Sequence, residues 1–376
     1  MAVHRGRGIA AIEYPTGMNQ GGDPSQAWIK IQPDGHVDVF SGTVDLGQGS
    51  KTVHTQIAAD MIGVPHDWVT MNNNDTDSSP VSFGTFASRG TFIDGNAIAV
   101  AAYRARQRLL ELASRMLEVA AEDLEIADGD VSVQGAPERK VSVAEVTATA
   151  SWTYGEMIVG SGAWMFPHVE PDKVTGECEP HAAISYAACV ADVAVDDETG
   201  EVVVERLVQV YDVGRAINPT LVDGQIQGGA IMGLGLALLE ESFPYYPGTE
   251  HRGPEFGAYA APAMVDLPEL RNVALEDPDP VGPFGAKAIG EMANNGQSPA
   301  IVAAIHDAVG VWVPELPAKP ERVLRALDER RQPRRDGRRV IFDEHLSVAA
   351  VTVAPGDGPG QNAGGGWRFP LVSDPL

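Results

Sequence analysis

Two hydrophobic periods take turns along the chain. Runs with a period of two over residues 27–31, 37–41 and 68–72 predict strands, and the run 52–62, closed by Gly63, predicts an amphipathic helix. Residues 94–121 predict a longer helix. Ile98, Ala101, Ala102, Leu109, Leu112, Met116 and Leu117 fall on one side of it, while Arg104, Arg106, Arg108, Glu111 and Arg115 supply the polar positions. A hairpin turning on Asp128-Gly129-Asp130 and a short helix over 142–146 complete a first lobe, 27–149. A second lobe, 182–328, opens on strands at 185–195 and 202–211 joined through Asp196-Asp197-Glu198-Thr199-Gly200, and continues with helices at 224–240 and 298–309. Between the lobes, 150–181 is rich in Gly, Pro and aromatic residues (Trp152, Tyr154, Trp164, Phe166, His168) and reads as a connecting loop packed at an interface. Residues 1–26 read as a polar, turn-rich arm. Residues 329–376 read as an extended tail in which Arg330, Arg331, Arg334, Arg335, Arg338 and Arg339 form a basic patch before a glycine-rich stretch. The class is α+β: two lobes of mixed sheets with packed helices.

Composition narrows the function. A chain of 376 residues, 44% hydrophobic, can bury a substantial core, and a formal net charge of −25 opposes a nucleic-acid partner because a phosphate backbone would be repelled. The two cysteines, Cys178 and Cys189, are too few for an iron–sulfur cluster and read as buried thiols. The glycines at 228, 229, 233 and 235 lie in a helix-like run without an acidic ribose partner, so neither a flavin nor a nicotinamide site is expected in this chain. Redox chemistry here would therefore pass its electrons to another subunit. No membrane-length apolar run occurs, since the longest, 230–239, is broken by Gly233 and Gly235; with no apolar leader, the chain reads as cytoplasmic.

Three segments carry candidate chemistry. Glu291 stands in Gly285-Ala286-Lys287-Ala288-Ile289-Gly290-Glu291, where small neighbours would let backbone crowd around a general base; a plain helix-start carboxylate is the competing reading. Gly47-Gln48-Gly49 lies between a strand and a helix, its glycines allowing a large polar ligand to approach and its amide offering both donor and acceptors. Asp212-Val213-Gly214-Arg215-Ala216-Ile217-Asn218-Pro219, followed by Asp223-Gly224-Gln225, repeats the order strand, turn, glutamine, small-residue helix. Histidines 54, 168, 181 and 306 are isolated, with no metal-ligand spacing.

In order along the chain, GQGSKT, GTFASRGTFIDGNA (84–97), DVGRAINP, DGQIQGG and GAKAIGE resemble the molybdenum-binding subunit of the xanthine dehydrogenase and aldehyde oxidase family, over about residues 27–327. That resemblance implies internal structural repeats and two glutamines on opposite sides of one ligand. It also implies Glu291 as the base, with Gly47, Gln48, Gly49, Thr52, Phe86, Ala87, Ser88, Arg89 and Gln225 around a molybdenum-molybdopterin cofactor, in its cytosine dinucleotide form, whose metal is held by the pterin dithiolene. Arg89 would suit a phosphate, and Phe86 stands where many relatives carry a small residue. The family's glycine-rich GGGFGG-type and QxHFYLE-type segments do not occur, so the chain resembles the C-terminal half of that subunit, as in split members such as nicotinate dehydrogenase. The partners implied are a second molybdopterin-binding chain, an iron–sulfur subunit and an FAD subunit. The activity implied is hydroxylation of an N-heteroaromatic compound or an aldehyde with water as the oxygen source. A hydroxybenzoyl-CoA reductase-like subunit and a non-catalytic scaffold are the alternatives, and the preserved Glu291 argues against the second.

Overall fold

The computed structural model describes residues 2–18, 23–73, 75–166, 171–178, 181–241 and 259–331. The chain opens on a strand, β1 (Val3–Thr16), followed by β2 (Ser25–Ile31), β3 (Val37–Ser41), helix α1 (Ser50–Ile62), β4 (Val69–Asn72) and helix α2 (Gly95–Leu117). A small meander follows, β5 (Leu124–Ala127), β6 (Asp130–Val133) and β7 (Ala136–Ser142), then α3 (Val143–Thr149), capped by Ser142 and Glu145 in a reciprocal capping box. The second half contains β8 (Ile158–Trp164), β9 (Ala183–Asp196), β10 (Val202–Asp212), α4 (Pro219–Leu238), β11 (Glu269–Leu275), α5 (Gln297–Val309) and α6 (Pro320–Arg331).

The two larger sheets have one plan. In the first, β3 pairs antiparallel with β2 and parallel with β4, and β8 closes the far edge beside β2. In the second, β10 pairs antiparallel with β9 and parallel with β11, and β1 closes the edge beside β9. Helix α1 crosses from β3 to β4 as α4 crosses from β10 to β11, so the repeat expected from the glutamine segments is present in the strand topology.

Packing repeats as well. Edge strands β1 and β8 each carry a Gly-x-Gly pair lying directly on a helix. A Cβ at Gly6 or Gly8 would stand 2.2 or 2.1 Å from the carbonyl oxygens of Ala304 and Ala300 of α5; one at Gly160 or Gly162 would stand 2.0 or 2.1 Å from those of Ala101 and Ala97 of α2. Glycine on the strand and alanine every fourth residue on the helix let the two backbones meet with no side chain between them. Around these contacts close two cores. One holds Ile29, Val39, Ile57, Ile98, Leu109 and Leu112, and the other Val193, Leu207, Leu234, Ile301 and Ile305.

Several expectations change here. The N-terminal arm is a fourteen-residue strand of the second sheet, paired along its whole length with β9. Its polar residues, Arg5, Arg7 and Glu13, alternate with inward-facing ones, the pattern of a strand covered on one face. The connecting loop 150–181 contributes β8, whose Ile158, Gly160 and Gly162 are buried on α2. Of the two thiols, Cys189 is buried in β9 and Cys178 is exposed. Residues 1–327 form one compact unit; the expected basic and glycine-rich tail, from 332 onward, lies outside the described residues. Among the described residues no helix is long and apolar enough to cross a membrane.

Candidate functional site

The loop after β3 is shaped by Asp45, whose carboxylate accepts hydrogen bonds from the backbone N–H groups of Gly47 (2.9 Å), Gly49 (3.2 Å) and Lys51 (3.0 Å) at the start of α1. Partial burial pushes the Asp45 carboxyl up, but the N–H groups of Lys51, Gly47 and Gly49 outweigh it and hold the group below the ordinary carboxylate range. Gly47 and Gly49, at φ of +111° and +86°, give the turn its left-handed backbone, and a Cβ at Gly47 would meet no atom within 4 Å. Gln48 turns inward on this loop: its Oε1 accepts from the Leu46 N–H at 2.5 Å, and its Nε2 donates to the Val44 carbonyl at 3.0 Å and to Ser50 Oγ at 3.2 Å.

In the second lobe, Asn218 caps α4 by accepting from the Leu221 N–H at 3.1 Å, and Pro219 occupies the first turn. The Asn218 amide also donates to Gln56 Oε1 of α1 at 3.1 Å, and Gly49 lies against Leu221, so the first turns of the two crossover helices converge. Between them is a small cleft of about 60 Å³, bordered by Gln48, Gln225, Asn218, Arg215, Lys287 and Ile289 among others. The two glutamines that stood in equivalent places in the sequence thus border one cleft. Thr52 does not: it is exposed one turn into α1.

The segment 285–291 is held from three sides. Backbone N–H groups of Arg215 and Lys287 donate to Gly285 O (2.8 Å) and Val213 O (2.9 Å), stitching it to the 212–219 loop. The Lys287 ammonium, largely buried, pairs with Asp212 at 2.6 Å. Below it, Tyr211 Oη (3.1 Å) and Gln297 Nε2 (2.8 Å) both donate to the Ala293 carbonyl. Glycine at 229 and 233 of α4 lets this segment approach, since a Cβ at either position would stand 2.5 Å from Ala293 or Gln297. Glycine costs an exposed helix roughly 1 kcal/mol relative to alanine, and here it makes room for the turn that carries the candidate base.

Glu291 stands at the first turn of the short 3-10 helix Met292–Asn294 and is exposed in this chain, not enclosed as a dry general base was expected to be. Its backbone N–H donates to Ser88 Oγ at 2.8 Å, and one carboxylate oxygen, Oε2, accepts a short hydrogen bond from Tyr14 Oη. Ala87 and Ser88 both have positive φ, +49° and +50°, a conformation that costs non-glycine residues energy and persists where the surroundings impose it. The imposing group is Arg89. Fully buried, it donates to Asp23 Oδ1 at 2.7 Å, to both oxygens of Asp94, to Ser82 Oγ and to the carbonyls of Gly84 and Pro24. Arg89 therefore does not meet an external phosphate as expected; its guanidinium is committed to holding the turn. Phe86 is half-buried, with the Arg89 guanidinium 6.0 Å from its ring centre.

Sequence reasoning missed Tyr14, Lys287 and the Tyr211–Gln297 anchor. For Tyr14 a signal existed, the alternation of β1, which puts Ile12, Tyr14 and Thr16 on the covered face.

Residues 2–268 match the family model for a molybdopterin cofactor-binding domain; Glu291 lies beyond that span. The chain is 34% identical over 329 residues to a probable hypoxanthine oxidase of Escherichia coli (strain K12), covering 87% of this chain and 32% of that protein. It is 34% identical to the nicotine 6-hydroxylase large subunit of Paenarthrobacter nicotinovorans, over 80% of this chain and 36% of that one. The fold is similar to quinoline 2-oxidoreductase from Pseudomonas putida 86, with a TM-score of 0.77 at 31% identity, over 87% of this chain and 42% of that one. The chain thus spans between about a third and two fifths of the length of these relatives.

Proposed function

The chain belongs to the molybdopterin cofactor-binding domain family, and from that premise we propose that it is the part of a molybdenum hydroxylase that carries the proton acceptor. Two features fit contact with part of a polar cofactor: the Arg215 cation and the Gln225 amide at the rim of the cleft, and the open backbone at Gly47 beside Gln48. These residues would hold molybdenum-molybdopterin, in the cytosine dinucleotide form. Bound there, the cofactor supplies oxygen transfer and two-electron redox chemistry. The protein's share is positional. Gln48 and Gln225 bind from the two lobes, the Arg89-braced turn fixes Ser88, and Glu291 takes up the proton released as oxygen derived from water adds to an electron-poor sp² carbon.

The observation that carries this reading is the placement of Glu291. Ser88, three residues before the cleft residue Thr91, holds it by its N–H, and the cleft residue Ile289 precedes it by two. Its exposure in this chain fits a site completed by further polypeptide, since the relatives are more than twice as long. The partners proposed are therefore a chain equivalent to the remainder of those relatives, an iron–sulfur subunit and an FAD subunit. Two relatives are named for nicotine and quinoline, which favours an N-heteroaromatic substrate over an aldehyde.

The test is the complex purified with its native partners. It should reduce a dye anaerobically with such a heterocycle and take ¹⁸O into product from labelled water. In Glu291→Gln, turnover should drop by about 10²–10⁴-fold at unchanged molybdenum content. Label arriving from ¹⁸O₂, or near wild-type turnover in that variant, refutes the reading.

A further inference from the structure

We propose that Tyr14 is a positioning residue for Glu291, occupying Oε2 of the carboxylate so that Oε1 is the oxygen left to take up a proton. The inference rests on the reading of Glu291 as the base. It starts from packing. Tyr14 lies on the covered face of β1, directly opposite Ser185 of β9, and its ring packs on a small cluster of Ile12, Tyr211, Val213, Ile226 and Met292, together with Ile289. Ile289 and Met292 bracket Glu291, so the cluster that fixes the ring also fixes the backbone on either side of the carboxylate. Ser185 Oγ donates to the Ala288 carbonyl at 3.4 Å, tying the same segment to the strand beside Tyr14.

The polar contacts form a chain. Tyr14 Oη donates to Glu291 Oε2, and the Glu291 N–H donates to Ser88 Oγ at 2.8 Å. An exposed glutamate ordinarily samples several side-chain rotamers. This one is anchored at its backbone by the FASR turn and at one carboxylate oxygen by β1, two elements far apart in sequence. Burial and the neighbouring Glu291 carboxylate push the Tyr14 hydroxyl up to about 12, so it stays a donor across the working pH range. Other charges on the elements packed here are turned elsewhere. Arg89 points inward to Asp23 and Asp94, Lys287 pairs with Asp212, and Glu13 lies on the opposite face of β1.

A hydroxyl donated to one carboxylate oxygen fixes the rotamer of the carboxylate, so removing the donor should lower turnover more than substrate binding. In the native complex, Tyr14→Phe keeps the ring and deletes only the donor. Its kcat should fall about 10-fold with KM within twofold. Installing 4-aminophenylalanine at position 14, a weaker donor of nearly the same shape, should lower kcat by about threefold with KM unchanged, and it decides the matter should the Phe variant fail to assemble. Apart from activity, the melting temperatures of Tyr14→Phe, Glu291→Gln and the double variant should be non-additive at pH 7.5. Wild-type kcat in Tyr14→Phe, wild-type kcat with 4-aminophenylalanine, or additive melting temperatures overturns the proposal. If Glu291→Gln turns over normally, the base assignment itself has failed; if that variant is inactive while both position-14 variants behave as wild type, only the role of Tyr14 has failed.

Discussion

Replacing Arg89 by alanine removes a fully buried guanidinium from a site where Asp23 and Asp94 are themselves buried, each at most 2% exposed. Two carboxylates, the Ser82 hydroxyl and the carbonyls of Gly84 and Pro24 lose their donor together. Breaking a buried pair by deleting one partner costs about 3–5 kcal/mol, because the charge left behind has neither water nor a counter-ion. Unfolding entropy is about 2.1 cal/mol/K per residue, so the 327-residue unit carries ~0.7 kcal/mol/K if it melts as one, and that cost corresponds to a drop of about 4–7 °C in Tm. Differential scanning calorimetry of the isolated chain measures it directly. Arg89→Lys should fall between wild type and alanine, since one ammonium cannot reproduce a fork that reaches two carboxylates and two carbonyls. Because Ser88 follows from the braced turn and holds the Glu291 N–H, the alanine variant should also lose turnover in the assembled complex. A Tm within about 1 °C of wild type would show that the ion-pair cluster does not brace the fold and would refute the account of the turn.

Three further outcomes follow from the same structure. Gly8→Ala would place a methyl 2.1 Å from the Ala300 carbonyl oxygen, so α5 must move off β1; a loss of about 1–3 kcal/mol in denaturant unfolding is expected, and unchanged stability would contradict the contact. His54 is buried on α1, its Nε2 3.0 Å from the Gly90 carbonyl, and burial lowers its pKa below 6.5 while Asp94 and Asp45 oppose the shift. The unfolded chain then takes the proton first as pH falls, so this contribution to stability is complete above about pH 6.5 and lost below it; the drop in Tm between pH 7.5 and 5.5 should be smaller in His54→Gln than in wild type. Gln48→Ala frees the Leu46 N–H and the Val44 carbonyl of the loop beside the cleft and should lower molybdenum content in the purified complex, measured by elemental analysis; full occupancy would remove Gln48 from the cofactor's surroundings.

Local chemistry made much of this legible from sequence. The α1, α2, α4 and α5 helices, the 128–130 hairpin and the paired β9 and β10 strands follow from hydrophobic period, caps and turn residues, each decided within a dozen or so neighbours. The two Gln-containing segments could likewise be matched to each other, because the same strand-turn-helix order recurs in each. Pairing across long separations was not legible. That residues 3–16 form an edge strand of the second sheet depends on β9, nearly 180 residues later, and β8 is a strand because β2 and α2 receive it. The same holds at the site. Nothing near Arg89 in the chain says that Asp23 lies beside it, so a buried structural cation and a phosphate ligand look alike in sequence. Glu291 and Ser88 were each visible as candidates, but their contact, and Tyr14 between β1 and the carboxylate, exist only once the two sheets are packed. Period and propensity act over a few residues; which charges meet, which are buried and which oxygen is left free are set by the burial of apolar faces between segments distant in the chain.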